Sequence, residues 1–524
     1  MRALITPVPA PSKWLTLVAA CFGLGMLMVN TFVVNVALPA MARDFDVELS
    51  TAQWIVSGFV LALGVLPIAA GRLGDILGRR EVYLAGLVVF IASSLACAMA
   101  RDVYVLIAFR VLQGAGAAIM QPATLSIVTH SFPVEERGMA IGIWSGVSGL
   151  GLIFGPVLGG LLVHGDYWRL VFLVNVPLGA FALIMAYRFV PKSRDDSAPR
   201  VIDWLGVVLL STALLLVMFA VTRGNSDGWR SPLILGCFAT GSLVFPLFVV
   251  VERASRYPLV DLSLFRGTTF VMACVSAFLF SAAVFGSQPY TSLFMQNYWG
   301  LTPLEAGLAF LPSTVLVAML MPISGIMGQR LGHRLRLIVM AGSVSVAVSF
   351  LYLLRLAPDT RYVEGFLPAF VLRGIGIGLV MSATSLAVVS AVPLAKSGLA
   401  SGTLTMARNV GTAMGVAVLG SFYLRYVDTE TATRFPNTPA EQVSVVARGV
   451  ERFVPATASA FRAASEQLIV DGFVLVSAVC VAMGLVATGA AFFIRHGGVA
   501  KQGRPASASA AAVSAPALSS DADG

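Results

Sequence analysis

Charge is what this 524-residue chain has least of: Asp, Glu, Lys and Arg together make up 12% of it, against 57% hydrophobic residues. A water-soluble chain of this length carries about a quarter charged residues, so a soluble globular protein is excluded. Histidine is scarce, with four in all, and no HExxH, Walker-type glycine loop or catalytic-triad spacing occurs. That removes the common metalloenzyme, nucleotide-hydrolase and acyl-transfer readings. Five cysteines (Cys21, Cys97, Cys237, Cys274, Cys480) lie singly inside apolar runs, so neither a disulfide framework nor a metal site is expected. No sizeable soluble stretch is present, which counts against a membrane sensor and an ATP-driven pump. The formal net charge of +9 resides in short segments between apolar runs, so nucleic acid is not an expected partner.

What fills the chain instead is long apolar runs. Each is close to the roughly 20 residues a helix needs to cross about 30 Å of hydrocarbon, and a spanning segment must satisfy its backbone internally, as a helix does. The runs predict fourteen spans: 14–38, 52–71, 82–100, 104–126, 138–163, 169–190, 204–222, 231–251, 268–295, 304–328, 335–355, 365–391, 398–424 and 469–494. The first is too long for a signal peptide's core and is read as an uncleaved helix. With both termini on one side, twenty Lys and Arg fall in the segments of that side and seven in the short segments opposite. The bias predicts cytoplasmic termini. The outer segment 425–467 mixes charge with apolar residues, whereas 497–524, rich in Ala, Ser, Gly and Pro, lacks material for a core and is expected to be disordered.

The chain also matches itself. A shift of 260 residues lays Val111–Gly142 over Val371–Gly402, pairing Gly114 with Gly374, Gly116 with Gly376, Thr124 with Thr384, Pro133 with Pro393, Gly138 with Gly398 and Gly142 with Gly402. A shift of 254 sets Gly71, Gly74, Gly78 and Arg80 on Gly325, Gly328, Gly332 and Arg334. The order of matches persists over several helices, which is the mark of a duplication. Two related bundles with a site between them is an architecture of alternating-access transporters. The expected organisation is a six-helix bundle in 1–200, two inserted helices in 201–262, and a second six-helix bundle in 263–496.

Four strings carry chemistry. Gly71 to Arg80 (GRLGDILGRR) follows span 2; its glycines allow close approach. Asp75 can accept from a helix N-terminus and pair with a nearby arginine such as Arg79, forming a latch that can break. Gln329 stands where Asp75 does in the second copy, so the latch is asymmetric in charge. Arg110, followed by Gln113, lies inside span 4; a buried arginine is costly unless paired or hydrated, so it is expected to face a cavity or interface, with bonding to carbonyls between helices as the alternative. The string from Gly151 to Gly160 contains Gly155 and Pro156, a small-residue packing stripe with a kink. Asn30-Thr31 to Leu38-Pro39 closes span 1.

Together these strings resemble the major facilitator superfamily: the first its loop signature, the third the motif of its exporters, and the fourth, with fourteen spans, its drug:proton antiporter family. The resemblance covers roughly 14–424 and implies an all-α major facilitator fold of two six-helix bundles plus two extra helices in a bacterial inner membrane. It implies export of a small amphipathic substrate by a monomer, without a cofactor, driven by the proton gradient. A facilitator or importer of lipid-like or peptide substrates, or a non-transporting sensor, are the other readings. The family's fourth helix carries an arginine like Arg110, implicated in proton-linked steps, and Asp75, Arg79, Gly155 and Pro156 are the further coupling or gating residues.

One departure matters. The family commonly has Asp at the position of Asn30, and spans 1–13 hold no mid-membrane carboxylate, while Arg110, Arg373 and Arg408 lie within them. A cationic interior disfavours multiply charged cations, since nothing offsets their desolvation. Neutral, zwitterionic or anionic amphiphiles are therefore the expected cargo, and Asp75, Glu305 and Asp471 the remaining proton carriers. Expected cavity residues are Asn30, Gln113, Gln121, Trp144, Phe285, Gln288, Tyr290, Arg373 and Arg408.

Overall fold

The computed structural model describes residues 12–147, 167–193, 201, 203–357, 360–434 and 459–494, and every regular element among them is helical. The first half contains α1 (Lys13–Asp44), α2 (Leu49–Val65), α3 (Pro67–Leu77), α4 (Arg79–Met99), α5 (Val103–Ser131), α6 (137–147), α7 (Leu170–Leu173) and α8 (Asn175–Phe189). Two helices follow, α9 (Trp204–Asp227) and α10 (Pro232–Ala254). The second half runs through α11 (Thr268–Val284), α12 (Gln288–Tyr298), α13 (Pro303–Ala309), α14 (Leu311–Leu331), α15 (Leu335–Leu353), α16 (Tyr362–Ser390), α17 (Ser397–Arg434) and α18 (Ser459–Phe492).

Twelve segments are long and apolar enough to cross a membrane, and α2 with α3 makes a thirteenth if that bent pair counts as one span. The expected span 138–163 is helical over 137–147; its remainder, with Gly155 and Pro156, lies outside the described residues, as do 435–458 and the tail 497–524. Apolar side chains point outward along the span helices: Leu243 of α10 is 74% exposed and Ile184 of α8 64%. In a bilayer those faces meet lipid.

Three boundaries differ from the sequence expectation. Span 2 does not stop at residue 71: it bends by 50° between Val65 and Pro67 and continues to Leu77, because proline has no amide to continue the ladder yet starts a new helix well. The string expected as a loop is thus mostly helix, broken only at Gly78, whose φ of +114° suits glycine. Span 9 breaks at Phe285–Ser287 ahead of Pro289, and span 10 breaks at Phe310, which ends a short separate helix that a capping box of Thr302 and Glu305 starts.

Within each half, glycine brings two helices together. A Cβ on Gly86 of α4 would sit 3.0 Å from the Gly116 carbonyl of α5, and one on Gly342 of α15 would sit 2.9 Å from the Gly376 carbonyl of α16. The repeat seen in the sequence is therefore a repeat of packing. The helix α9 lies across the seam between the halves. Trp54 of α2 stacks on its Phe219 at 5.7 Å, while its Asn225 donates to the Ala417 carbonyl of α17 at 2.9 Å and accepts from Ser421 at 2.7 Å.

Asp261, between α10 and α11, pairs with Lys396 just before α17. Partial burial pushes its carboxyl up, but hydrogen bonds from Lys396 and Ser263 outweigh this and hold it at about 2. The folded value lies below the roughly 3.9 of an unfolded aspartate, so the pair stabilises fully above about pH 4 and loses its effect as pH falls toward 2. Lys396→Gln should lower the thermal midpoint at pH 7, and melts at stepped pH should show the deficit closing between about pH 4 and pH 2.

Candidate functional site

The two halves meet tightly on the face that carries most of the Lys and Arg, hereafter the basic face. Here α3 runs against the start of α17: a Cβ on Gly71 would fall on the Gly398 carbonyl, and one on Gly402 on the Pro67 carbonyl. A second contact mirrors the first. Gly138 and Gly142 of α6 lie against Gly325, Met321 and Pro322 of α14 in the same backbone-to-backbone manner. The glycines are the ones the repeat pairs with each other, and any side chain there would hold the halves apart.

Each contact is capped by one side chain. Asp75 has no exposed surface. Its Oδ1 accepts from Arg79 at 2.8 Å and from the Gly398 amide at 3.0 Å, and its Oδ2 accepts from the Leu399 amide at 2.9 Å. Those amides belong to the first turn of α17, where backbone N–H groups have no partner within the helix and the dipole favours a negative charge. Arg79 completes the joint, donating to Ser126 at 2.7 Å and to the Ala395 carbonyl at 3.1 Å. Ser126 in turn meets Ser397 at 2.7 Å. In the mirrored contact Gln329 accepts from the Gly138 amide at 2.8 Å and donates to the Val134 carbonyl. A neutral amide there does the capping that a carboxylate does at Asp75.

Deeper in the first half, Arg110 ties four elements together. It donates to the Ile55 carbonyl at 2.8 Å, to Asn30 at 3.0 Å and to Gln113 at 2.5 Å, and Gln113 donates to Ser94 at 2.5 Å. The guanidinium lies 4.1 Å from the Phe59 ring centroid and 5.8 Å from that of Phe172. All its acceptors are neutral, so its positive charge is solvated by the protein but not cancelled.

The sequence from residue 20 to residue 416 matches the model of the Major Facilitator Superfamily. The chain belongs to the major facilitator superfamily. Among its relatives, the tetracenomycin C resistance and export protein of Streptomyces glaucescens is 36% identical over 78% of this chain and 75% of its own length. The multidrug resistance protein Stp of Mycobacterium tuberculosis is 36% identical over 78% of this chain and 76% of its own. The multidrug efflux pump LfrA of Mycolicibacterium smegmatis is 32% identical over 91% and 95%. The fold matches the human organic anion transporter MFSD10 with a TM-score of 0.62 at 16% identity, covering 92% of this chain and 100% of that one. The proton:xylose symporter XylE matches with a TM-score of 0.59 at 13% identity, over 91% and 94%.

The second bundle of this major facilitator chain handles its arginines differently. Arg373 occupies the place that the repeat assigns to Gln113. It is 4% exposed and lies 4.2 Å from the Phe350 centroid and 5.5 Å from that of Phe370. Its Nε and Nη2 are buried with no hydrogen-bond partner among the described residues. Arg408 of α17 bonds with Nη2 to the Met381 carbonyl at 2.7 Å, to Thr384 at 2.9 Å and to Ser385 at 3.0 Å. Arg110, Arg373 and Arg408 have no ion pair with a described carboxylate.

The residues expected to line a cavity divide in this state. Asn30 and Gln113 are fully buried and occupied with Arg110, so Arg110 sits at a helix interface and not against open space. Trp144 is buried and donates to Thr124 at 3.0 Å. Tyr290 reaches across to the Val416 carbonyl at 2.7 Å and packs on Tyr423, a bundle-internal joint. Gln121, Phe285, Gln288 and Arg408 are partly exposed. Hydropathy and motifs gave no sign of Ser126 and Ser397, because lone serines at helix ends carry no pattern.

Two contrasting substitutions test the arginines. Arg110→Met strands the Ile55 carbonyl, Asn30 and Gln113, and should cost about 1–3 kcal/mol for each buried acceptor left unpaired. Arg373→Met removes a cation whose Nε and Nη2 have no hydrogen-bond partner among the described residues, and replacing poorly compensated buried charge with an apolar side chain is neutral or stabilising by roughly 1–4 kcal/mol. Thermal unfolding of the purified variants should fall in temperature for Arg110→Met and stay level or rise for Arg373→Met. Asp75→Asn deletes the charge at the joint; a cysteine placed at Ser401, which is buried, should then react faster with a water-soluble maleimide in a background whose native cysteines are alanine.

Proposed function

We propose that this chain is a secondary exporter of small amphipathic molecules, working by alternating access and driven by the proton gradient. What carries this reading is the pair of repeat-related glycine contacts on one face, one capped by Asp75 and the other by Gln329. Such a joint closes one end of a path between bundles and opens by a rocking of rigid parts. The bundles are 1–200 and 263–496, with 201–262 as an inserted pair that straddles the seam through α9. The export and resistance names carried by relatives that share most of the chain support outward transport.

The basic face is cytoplasmic by the positive-inside bias, which places both termini inside and the chain in a bacterial inner membrane. It acts as a monomer, since both bundles come from one polypeptide, and needs no cofactor. Asp75, Arg79 and Arg110 are the gating and coupling residues, with Gly155 and Pro156 forming the flexible packing stripe. A proton on Asp75 would uncouple it from Arg79 and weaken its bonds to α17, making it the first candidate carrier. Asn30, Gln113, Gln121, Trp144, Phe285, Gln288, Tyr290, Arg373 and Arg408 come to line the path as the bundles rock.

The charge of that path sets the cargo. Three guanidiniums within the spans, those of Arg110, Arg373 and Arg408, without a carboxylate make dications costly to admit, so neutral, zwitterionic or anionic amphiphiles fit. Asn30 accepts from Arg110 at 3.0 Å, so Asn30→Asp would form an ion pair there and remove one uncancelled charge. In proteoliposomes with an imposed pH gradient, wild type should move neutral and anionic dyes, and Asn30→Asp should add monocations. Saturable, gradient-driven efflux of dicationic dyes by wild type would contradict the cargo assignment.

A further inference from the structure

A cavity of about 970 Å³ lies at the far ends of α12, α13 and α16. The helix α16 finishes at Ser390, close to the residues that meet Arg79, so its start at Tyr362 is on the face opposite the joint. Tyr298, Trp299 and Tyr362 form aromatic walls, Leu308 adds apolar surface, and Glu305 and Arg361 bring opposite charges to the same cavity.

The walls are fixed from behind. Trp299 packs edge-on to Phe366 at 4.9 Å and to Phe294 at 5.6 Å, and both of those rings are buried. The Tyr362 hydroxyl donates to the Ala309 carbonyl at 2.7 Å, binding α16 to α13. Glu305 is held too: its Oε2 accepts from the Thr302 amide at 2.8 Å and the Thr302 hydroxyl at 2.9 Å. Those bonds keep the carboxyl below its usual range, hence ionised at neutral pH. Its other oxygen and the Arg361 guanidinium form no ion pair with each other or with any described residue.

We infer that this cavity is a binding site for a zwitterionic amphiphile, whose ammonium faces Glu305, whose acidic group faces Arg361, and whose apolar body lies on the aromatic walls. A simple cation would meet Arg361 unfavourably and a simple anion would meet Glu305; only a ligand bearing both charges satisfies both. The volume suits one drug-sized molecule. Aromatic faces also attract ammonium groups directly. A phospholipid headgroup of the ethanolamine type and a soluble amphiphile share this chemistry. The site rests on the cavity and stands independently of the transport direction.

The test uses the full chain in nanodiscs without a gradient and reads tryptophan-to-dansyl energy transfer. Three probes of one skeleton serve: ε-dansyl-lysine (zwitterion), its methyl ester (cation) and its α-N-acetyl form (anion). The zwitterion should bind about fivefold more tightly than either, the upper range for solvent-exposed ion pairs. Glu305→Gln, which retains the capping box, should weaken the zwitterion and the ester but not the acetyl form. Arg361→Gln should weaken the zwitterion and the acetyl form but not the ester. Weaker probe binding in phosphatidylethanolamine than in phosphatidylglycerol discs would assign the site to the lipid headgroup; equal binding would assign it to soluble ligands. Equal affinity for all three probes, or zwitterion binding unchanged by both substitutions, overturns the proposal.

Discussion

Asp75 is the constraint around which the molecule is organised. A carboxylate without exposed surface is tolerable only if every lone pair is engaged, because the cost of desolvating a charge exceeds what one partner returns. Here the engagement requires both bundles: Arg79 comes from the same half, but the two amides come from the first turn of α17 in the other. When the bundles separate, two of those bonds are lost together and water must replace them. In the proposed rocking the joint would have two satisfied arrangements, dry and closed or wet and open, with little between them. That is the property a switch needs.

The glycines make the closed arrangement possible. Gly71, Gly398 and Gly402 on one side, and Gly138, Gly142 and Gly325 on the other, let backbones touch where a methyl group would collide. The duplication supplied both contacts, and divergence changed only the cap. Gln329 bonds the Gly138 amide as Asp75 bonds the Gly398 amide, yet it cannot be titrated. In the proposed mechanism one half of the closure would answer to protons or to Arg79, and the other half would be a fixed hydrogen-bonded seam. The same divergence separates the arginines, since Arg110 donates to three acceptors while the Nε and Nη2 of Arg373 have none among the described residues.

Much of this was legible in the sequence. Apolar runs marked the spans because hydrocarbon imposes length and composition directly, and the repeated glycines marked the closure because nothing else can occupy such contacts. The GRLGDILGRR string pointed to a carboxylate near a helix start and an arginine, although its helical continuation to Leu77 was hidden by its polar composition. Other features were not legible. That Arg110 would meet Asn30, Gln113 and a carbonyl of α2 depends on how three helices are rotated, which hydropathy does not encode. The breaks at Phe285 and Phe310 fall inside continuous apolar runs, where composition does not distinguish one helix from two. Glu305 read as a residue near a span end; only the fold sets it beside Trp299 and Arg361.

The most direct measurement is the distance between spin labels at Leu77 and Arg334, exposed positions on opposite halves of the basic face, taken by pulsed electron resonance in lipid. A closure held by Asp75 predicts a short distance in wild type and a second, longer population in Asp75→Asn, with the same longer population growing in wild type as pH is lowered on that face. A single unchanged distance under all of these conditions would contradict it, and would mean that the basic face is a static seam.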